Sequence, residues 1–407
     1  MLKEIVGGVC APQGFSANGV HCGIRKNKIK KDLALIVADK RCAAAGVYTT
    51  NLVKGAPILV TQKNLADGHA RAVIVNSGNA NTCNEGGVEI AEGMCRLVEE
   101  YTGVPAGDVI VASTGVIGQK LSLDPIASGM KSLASGLGGA AEHSGAAAEA
   151  IMTTDTVKKE IAFEFELGGK TCRIGAICKG VGMICPNMAT LLMFVTTDAA
   201  ISPAMLAQAL KEDVKDSLNM LSVDRDTSTN DTFCAMASGL AGNPEIVAEG
   251  EDYDKFRAAL HAVTSAMCRK LARDGEGATK LIECRVKGAK TAEDARIAAK
   301  SVINSNLLKA AMFGCDANWG RVLCALGYSG ANLDVDRIAV CFRSAAGELP
   351  VCEKGRGIDF SEELAKRVLS EETVYIDIDL NDGGFGATAW GCDLTYDYVK
   401  INGDYRT

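Results

Sequence analysis

The stretch EIAFEFELGGKTCRIGAI, residues 160–177, has the pattern of a β-hairpin and decides between the fold classes. Apolar and polar residues alternate on both sides of Gly168–Gly169, and glycines accept the positive φ that a tight hairpin turn requires. Near the end of the chain, VYIDIDL from Val374 and CDLTYDYVKI from Cys392 alternate in the same way, without a helix between them. Successive strands without an intervening helix favour antiparallel pairing, which argues against a simple doubly wound parallel sheet.

Predicted strands and helices alternate through the rest of the chain. Apolar runs of strand length lie at 32–38, 57–61, 71–75, 108–112 and 191–197. Helical patterns lie at 88–101, 123–137, 203–218, 253–273 and 292–303, and Ser202 with Pro203 makes a typical N-cap and first helical position. Together with the antiparallel pairs, this mixture predicts an α+β or α/β architecture of layered sheets and helices.

Length and composition indicate a folded protein that acts on small molecules. The 407 residues are 47% hydrophobic and 23% charged, values typical of a globular chain of two or three domains. The acidic stretch 243–254 is the nearest candidate for a boundary between them. No apolar run reaches the roughly 20 residues of a membrane span. Because the start MLKEIVGGVC lacks a signal peptide's apolar core and the net charge is −7, we expect a soluble, cytoplasmic protein with no membrane or nucleic-acid partner.

The cysteines and histidines argue against structural zinc. The chain has 16 Cys but no CxxC pair, and its four histidines are far apart in sequence, at His21, His69, His143 and His261. We therefore expect reduced, mostly buried thiols and no metal site. A catalytic Cys–His pair formed in the folded chain stays open as an alternative.

Common nucleotide-binding and hydrolase signatures are missing from the sequence. GxxxxGK[ST], HExxH and GxSxG do not occur. Gly384, Gly386 and Ala389 have the spacing of a dinucleotide fingerprint, but an alternating strand follows where that fingerprint requires a helix. These classes of enzyme are therefore not expected.

The segment KGVGMICPNMATLLMFVTTD, residues 179–198, offers a different nucleophile. A glycine-rich turn and a Pro–Asn pair precede Ala189–Thr190, and an apolar strand follows directly. If the Thr190 hydroxyl attacked the preceding carbonyl, Thr190 would become an N-terminus with a hydroxyl and an α-amine on one residue. An α-amine has a reference pKa of roughly 7.7 to 8.0 and can serve as the base, so no histidine is needed. Taken alone, the residues fit an ordinary turn before a core strand better, because Pro–Asn turns before apolar strands are common.

The same segment resembles the self-cleavage site of the ornithine acetyltransferase family, the bifunctional glutamate and ornithine acetyltransferases of arginine biosynthesis. The resemblance extends along nearly the whole chain. The blocks that carry it are DLALIV at Asp32, VNSGNANTCNEG at Val75, STGVIG at Ser113, MTTDT at Met152, DTSTND at Asp226, DGEGATK at Asp274, NWGR at Asn318 and TAWGCDLTYDYVKINGDYRT at Thr388.

The resemblance implies an α+β fold of layered sheets and helices, similar to but topologically distinct from N-terminal nucleophile hydrolases. It implies cleavage between Ala189 and Thr190, giving an α chain of residues 1–189 and a β chain of residues 190–407. Acetyl would pass from N2-acetylornithine to the Thr190 hydroxyl and then to the α-amine of glutamate, with acetyl-CoA as a second donor in bifunctional members. No prosthetic group or metal is implied, and the assembly would contain two α and two β chains or a multiple of these.

The resemblance also assigns roles to individual residues. Thr114 and Gly115 match the oxyanion hole. The substrate-binding positions are Thr153, Lys179, Thr190, Glu276, Asn402 and Thr407. We expect Lys179 to receive a substrate carboxylate and Glu276 to face the δ-ammonium of ornithine. Each has a plain alternative: a chain turn for Thr114–Gly115, a solvated turn for Lys179, a surface turn for Glu276, a helix end for Thr153 and a frayed tail for the last two.

One position departs from the family pattern, and two rival functions stay open. Arg225 stands where a glycine is expected, so we predict that access to positive φ is lost and that the loop differs there. The first rival is an amidase or aminopeptidase that uses the same N-terminal threonine with water as acceptor. The second is a binding protein that keeps the fold without catalysis.

Overall fold

The computed structural model describes residues 2–25, 29–184 and 191–403, which form two compact units. The first unit comprises the described residues of Met1–Gly180, Asn187–Lys215 and Thr227–Met267, and the second those of Val181–Pro186, Asp216–Asp226 and Cys268–Thr407. The boundary predicted at 243–254 is wrong, because that stretch lies inside the first unit. The chain instead passes between the units at several points, two of which, Lys215–Asp216 and Met267–Cys268, lie within helices that carry no loop signal.

Strands and helices both run the length of the chain, as predicted for a mixed fold. The strands are β1 Lys3–Ile5, β2 Phe15–Val20, β3 Leu33–Tyr48, β4 His69–Asn79, β5 Val109–Val116, β6 Lys159–Leu167, β7 Lys170–Lys179, β8 Leu192–Thr197, β9 Leu221–Ser222, β10 Thr232–Ala237, β11 Leu281–Ala289, β12 Ala339–Ser344, β13 Gly347–Glu353, β14 Arg356–Gly357, β15 Thr373–Asp379 and β16 Phe385–Cys392. The helices are α1 Ala56–Asn64, α2 Gly87–Thr102, α3 Asp124–Ser135, α4 Ala141–Ala150, α5 Pro203–Asp216, α6 Glu251–Arg273, α7 Ala292–Asn304, α8 Asn306–Phe313, α9 Trp319–Gly327, α10 Glu362–Ser370 and α11 Tyr396–Gly403.

One mixed sheet forms the centre of the first unit. Its strand order is β1-β6-β7-β8-β10-β3-β4-β5, with β2 paired to β3. The predicted hairpin is confirmed: β6 and β7 pair antiparallel through Leu167 and Lys170, and Gly168 and Gly169 turn the chain at φ 52° and 73°. β8 pairs antiparallel with β7 and parallel with β10, so it lies in the interior of the sheet.

Helices cover both faces of this sheet because its strands are apolar on both sides. Leu33 and Leu35 contribute to a buried cluster with residues of α2 and α3, whereas Ala34 and Ile36 contribute to a second cluster with residues of α4. Successive strand residues point to opposite faces, so one apolar run supplies both clusters. The result is a layered α+β architecture, as expected from the sequence.

The second unit contains another mixed sheet, of order β14-β13-β12-β15-β11-β16-β9. The antiparallel pair predicted between 374–380 and the segment from Cys392 is wrong, because β15 pairs with β11 and β12 and the second segment becomes α11. β15 is followed in the chain by β16, and β11 lies between these two strands in the sheet. β11 is parallel to β15 and antiparallel to β16. A strand from earlier in the chain therefore separates two strands that follow each other in sequence.

Two predicted strands are helices in the structure. Residues 57–61 lie in α1, where Pro57 occupies the first turn and needs no hydrogen-bond donor. The strand predicted from Cys392 ends at that residue, and α11 follows. Thr395 accepts a hydrogen bond from the amide of Tyr398 at 3.4 Å, which starts the helix in the manner of an N-cap. Short apolar and alternating runs fit either conformation, and local capping decided these two.

The helices predicted elsewhere are confirmed, with ends that shift by a few residues. α2, α3, α5, α6 and α7 correspond to the five predicted segments. Ser202 accepts a hydrogen bond from the amide of Met205 at 3.4 Å, consistent with the predicted N-cap. Within the described ranges, no helix is both long and apolar enough to cross a membrane.

Candidate active site

The predicted oxyanion-hole residues lie at the end of β5, the last strand of the first sheet. β5 runs parallel to β4, with Thr114 opposite Ser77 and Asn79, and Gly115 opposite Gly78. The pairing is irregular at this point, which bends the strand end. Thr114 and Gly115 belong to the strand itself, so the turn expected directly after 108–112 begins later than the sequence suggested.

Gly115 is a position that only glycine can occupy. Its φ is 133°, a region that residues with side chains rarely adopt. A Cβ atom there would stand 2.3 Å from the carbonyl carbon of Gly78 and 2.5 Å from the amide nitrogen of Asn79. The close approach of the two strands therefore explains the glycine that follows Thr114.

A buried amide holds the residue before Thr114. The Asn230 side chain donates hydrogen bonds to the carbonyls of Ala80 at 2.6 Å and Ser113 at 3.0 Å. Its oxygen accepts from the hydroxyls of Thr82 at 2.6 Å and Thr229 at 2.5 Å. All four bonds lie in the interior, where unpaired polar groups are costly, so the amide fixes the backbone at the end of β5. Asn230 belongs to the DTSTND block, but the sequence did not indicate this role.

The side chains of Lys179 and Thr114 are in contact, as expected if both residues belong to one site. Lys179 ends β7 with 8% of its surface exposed, and its Nζ donates a hydrogen bond to the Thr114 hydroxyl at 3.3 Å. Burial lowers the pKa of the Lys179 ammonium, and the negative charge of Asp155 opposes that shift. The alternative of a solvated turn is wrong for this lysine, because it is a buried cation at a strand end.

Asp155 interacts with both Thr153 and Lys179, through hydrogen bonds to the first and through its charge with the second. Its carboxylate accepts hydrogen bonds from the Thr153 amide at 2.9 Å and the Thr153 hydroxyl at 3.5 Å. It also accepts from the Gly180 amide at 3.0 Å and from the Lys159 ammonium at 2.7 Å. Burial alone would raise the pKa of Asp155, but the charges of Lys179 and Lys159 outweigh it and lower the pKa to about 2. The carboxylate is therefore ionised at neutral pH.

Sequence reasoning missed Asp155, although it lies inside the quoted block MTTDT. In a connecting segment, an aspartate among threonines is typical of a polar turn. Only its burial, with 4% of its surface exposed, indicates that it balances the charges of buried lysines.

Glu276 and Asn402 meet in the second unit. The Asn402 side chain, on α11, donates a hydrogen bond to the Glu276 carboxylate at 2.8 Å. Glu276 is 7% exposed, so the alternative of a surface turn is wrong for it. A Cβ on Gly182 would stand 2.4 Å from a Glu276 carboxylate oxygen, which explains a glycine at that point of the KGVG turn. Asn402 lies within a helix, whereas a frayed tail was its alternative.

Three predicted positions lie outside the described residues. These are Ala189 and Thr190 at the predicted cleavage point, and Thr407. Leu191, the residue that follows Thr190, is buried, and its carbonyl accepts a hydrogen bond from the Thr232 amide at 2.9 Å. The predicted nucleophile therefore directly precedes a residue that is anchored in the first sheet.

The prediction for Arg225 is wrong in one respect. Its backbone has a φ of 73°, so the chain keeps the left-handed conformation for which a glycine was expected. The Asp226 amide donates a hydrogen bond to the Asp224 carboxylate at 3.2 Å, a local turn that holds Arg225 in place. The surrounding structure imposes the backbone conformation that the residue type disfavours.

The described histidines and cysteines give no support to a Cys–His pair. His21 and His69 bond to the carbonyls of Lys30 and Asp67, both at 2.8 Å, and His261 bonds to the Asp213 carboxylate at 2.9 Å. No disulfide joins the cysteines among the residues that the structure describes, and most are buried. Burial raises the pKa of thiols such as Cys234, to about 12, which disfavours the nucleophilic thiolate.

Metal ligands do not cluster in the described part of the chain. No group of three or more His, Cys, Asp or Glu side chains there could hold an ion.

Comparison with known proteins identifies the family. The family model described as "ArgJ family" matches residues 16–407. The arginine biosynthesis bifunctional protein ArgJ of Symbiobacterium thermophilum is 53% identical over 408 residues, with 100% of each chain covered. The chain belongs to the ArgJ family.

One further relative and two solved structures are also similar to this chain. ArgJ 1 of Clostridium acetobutylicum is 50% identical over 394 residues, covering 97% of this chain and 96% of the relative. The crystal structure of ArgJ from Bacillus halodurans is 42% identical and covers 52% of this chain and 97% of that one, with a TM-score of 0.49. Ornithine acetyltransferase from Mycobacterium tuberculosis, solved in complex with ornithine, is 37% identical, covering 46% of this chain and 100% of that one at a TM-score of 0.44.

Membership confirms the resemblance and the class of enzyme inferred from the sequence blocks. This ArgJ-family chain is an acetyltransferase of arginine biosynthesis. The second rival, a binding protein without catalysis, is therefore disfavoured.

Proposed function

We propose that the chain transfers acetyl from N2-acetylornithine to glutamate through an acetylated Thr190. The observation that carries the proposal is the buried Lys179 bonded at 3.3 Å to Thr114, beside a glycine that no other residue could replace. A fixed cation next to a hydroxyl suits a substrate that has a carboxylate and a reacting carbonyl.

The nucleophile would arise by cleavage between Ala189 and Thr190. A free α-amine on Thr190 would accept the proton of its own hydroxyl as the oxygen attacks the acetyl carbonyl. Ornithine would leave, and the α-amine of glutamate would then attack the acetyl-threonine ester. One described residue supports this proposal. Leu191 is hydrogen-bonded to the sheet directly before β8, so the new N-terminus at Thr190 would follow a fixed residue.

Thr114 and Gly115 would stabilise the tetrahedral intermediates. The Thr114 oxygen already accepts a hydrogen bond from Lys179, so its own hydrogen can be directed at a substrate oxygen. Each donor to an oxyanion typically contributes roughly 2.7 to 4 kcal/mol to transition-state stabilisation. Because the bond network of Asn230 holds the strand end, the donors would need little reorganisation during the reaction.

Binding would rely on complementary charge. Lys179 would receive the carboxylate of either substrate, and Thr153, held by Asp155, would contribute a hydroxyl. Glu276 and Asn402 would recognise the δ-ammonium of ornithine, and Thr407 would contribute to binding as the family resemblance implies. The side-chain carboxylate of glutamate would be repelled by Glu276, so this residue should favour the donor over the acceptor.

The two chains produced by cleavage should stay together. β8 and β10, from the proposed β chain of residues 190–407, lie between β7 and β3 of the proposed α chain of residues 1–189. Ladder hydrogen bonds on both sides would continue to join the chains after cleavage. We propose an assembly of two α and two β chains in the cytoplasm, without metal or prosthetic group.

Relatives named bifunctional raise the question of a second donor. We propose that acetyl-CoA also acetylates glutamate, with the same threonine as carrier. An assay with acetyl-CoA and glutamate, without N2-acetylornithine, tests this part alone.

The main experiment mixes purified protein with N2-acetylornithine, with and without glutamate, and follows N-acetylglutamate and acetate. We expect N-acetylglutamate to form and Thr190→Ala to remain uncut and inactive. Release of acetate at the same rate without glutamate would instead favour the amidase. Acetyl transfer by Thr190→Ala, or by wild-type protein whose Ala189–Thr190 bond is intact in mass spectra, would overturn the proposal.

A further inference from the structure

The chain segment that links β16 to α11 bonds to the segment that carries Glu276, and both lie in the second unit. The ladder between β11 and β16 ends at the pair Leu281 and Cys392. Beyond this pair the two chains separate, one leading back to Glu276 and the other forward to α11. The contacts at this point therefore set the positions of the two segments relative to each other.

The carboxylate of Asp393 takes the place of the ladder where the strands end. It accepts hydrogen bonds from the amides of Thr279 at 2.9 Å and Lys280 at 3.0 Å, and from the Thr279 hydroxyl. Only 3% of Asp393 is exposed, so the carboxylate depends on these donors in place of water. Because bonds to a carboxylate are stronger than bonds between neutral groups, Asp393 holds the two chains together beyond their last ladder pair.

The turn that carries Glu276 also packs closely against the first turn of α11. Gly277 has a φ of 70°, and a Cβ there would stand 2.6 Å from the amide nitrogen of Tyr398. The Thr395 hydroxyl donates a hydrogen bond to the Gly277 carbonyl at 2.7 Å. A side chain on Gly277 would not fit between the turn and the helix, so a shift of one is transmitted to the other.

The bond between Glu276 and Asn402 depends on this junction. Glu276 directly precedes Gly277, and Asn402 lies on α11, after Thr395. The two side chains meet at 2.8 Å, and a displacement of about 1 Å between turn and helix would take them beyond hydrogen-bond distance. Described contacts therefore lead from Asp393 to the pair that is proposed to recognise the donor.

We infer that Asp393 is a positioning residue that holds Glu276 for recognition of the donor's δ-ammonium. The inference rests on the proposed function, in which Glu276 and Asn402 bind this ammonium. An ion pair weakens as its charges move apart, and a hydrogen bond also requires a fixed direction. Loss of the Asp393 bonds would let the turn and α11 shift against each other, which would weaken recognition of the ammonium and leave the groups that act on the acetyl carbonyl unchanged.

Two donors separate this role from a general structural one. N2-acetylornithine carries the δ-ammonium, whereas N2-acetylnorvaline has the same carbon chain without it. With glutamate as acceptor, the ratio of kcat/KM for the two donors measures recognition of the ammonium, because a loss of active protein lowers both values equally. This ratio is the donor preference.

Asp393→Ala removes all three bonds to the carboxylate. We expect the donor preference to fall about tenfold, through a higher KM for N2-acetylornithine, while kcat for this donor and kcat/KM for N2-acetylnorvaline stay within about twofold of wild type. Asp393→Asn keeps an oxygen that can accept from both amides and should retain most of the preference. Thr279→Val removes only the hydroxyl donor, should lower the preference about threefold, and provides the test if Asp393→Ala does not fold.

A double-mutant cycle shows whether Asp393 acts through Glu276. In a Glu276→Ala background, Asp393→Ala should change the donor preference by less than about twofold, because the group that it positions is already gone. Ser361→Ala is the matched control, since it removes the bond from the Leu364 amide at 3.2 Å that caps α10. It should lower the melting temperature and leave the preference unchanged.

An unchanged preference in folded Asp393→Ala, or in Thr279→Val if the first variant does not fold, would overturn the inference. Equal losses with both donors, or a loss of preference that persists in the Glu276→Ala background, would overturn it as well. Wild-type protein that uses both donors equally would contradict the role proposed for Glu276. Wild-type protein that transfers no acetyl from N2-acetylornithine would overturn the proposed function itself.

Discussion

Two clusters of predicted binding residues differ in how the chain holds them. In the first unit, Lys179 ends a central strand, and the buried carboxylate of Asp155 bonds to backbone amides as well as to Lys159. In the second unit, Glu276 is buried, but its partner Asn402 is an exposed residue of the C-terminal helix α11. One cluster is built into a sheet and the other is completed by a short helix.

The difference indicates which residues could be substituted with little loss of stability. Removing one member of a buried charge cluster leaves the others uncompensated, so such residues resist substitution. An exposed amide that loses its partner can bond to water instead. We therefore expect changes in the first cluster to affect folding and chemistry, and changes in the second to affect mainly recognition of the donor.

The strongest test of this comparison is Asp155→Ala. It leaves Lys159 and Lys179 buried without their shared counter-charge, and we expect it to lower the free energy of unfolding by about 3 to 5 kcal/mol. Urea denaturation measures the loss. Glu276→Ala is the matched change in the other cluster and should cost less than half as much, and equal losses would remove the distinction.

Thr114→Ala tests the chemistry of the first cluster. The change removes one proposed oxyanion donor, so kcat should fall about 10² to 10³-fold, with a much smaller change in stability than Asp155→Ala causes. Steady-state kinetics with N2-acetylornithine and glutamate provide the measurement. Thr114→Ser keeps the hydroxyl and should retain most of the activity. A similar loss in both variants would show that the methyl group matters and not the donor.

Acid should weaken the first cluster in a defined pH window. The pKa of Asp155 is lowered to about 2 from its ordinary value of 3.8 by the nearby lysines, so its ionised form favours the folded state. That contribution, on the order of 2 kcal/mol, is complete above about pH 4 and is lost as the pH falls towards 2. Unfolding free energies of wild type and Asp155→Asn between pH 5 and pH 2.5 should therefore converge, and curves that stay parallel would contradict the assignment.

Asn402→Ala tests recognition in the second cluster. Losing one bond to the Glu276 carboxylate should weaken its orientation by about 1 kcal/mol, which corresponds to a roughly fivefold higher KM for N2-acetylornithine. kcat and the melting temperature should change little. Lys400→Ala, an exposed change in the same helix, serves as the control, and a fall in kcat with unchanged KM would argue against a role in binding.

The smallest expected effect is that of Arg225→Gly. Arg225 has a φ of 73°, and glycine adopts this conformation without steric cost, although it loses more backbone entropy on folding. The net gain should be about 0.5 to 1 kcal/mol, measured by calorimetry as a rise of roughly 1 °C in the melting temperature. A lower melting temperature would show that the arginine side chain makes a contribution that outweighs the strain.

Much of the architecture could be predicted from local patterns, and the errors occurred where a pattern fits two structures. The hairpin around Gly168–Gly169 and five helices are confirmed, because alternation and helical spacing extend over many residues there. Residues 57–61 and the segment after Cys392 are short, and a proline in a first helical turn and the Thr395 cap decide their conformation. The insertion of β11 between β15 and β16 depends on long-range pairing that no local pattern encodes.

The sequence predicted some residues of the candidate site and missed others. The sequence blocks predicted roles for Thr114, Lys179, Glu276 and Asn402, and in the structure these residues lie in two bonded pairs. Asp155 and Asn230 were missed, because polar residues in connecting segments resemble ordinary turns until their burial and hydrogen-bond partners are known.

The sequence by itself determined most strand and helix types and the family, and it predicted the residues that could carry acetyl transfer, since these depend on residue order and local spacing. Tertiary structure alone decided which charges are buried together. Asp155 balances Lys179 because β7 brings the lysine back beside the segment that precedes β6, and burial in a medium of low polarity then makes each charge depend on the other. Such a dependence arises from position in space, which residue order does not state.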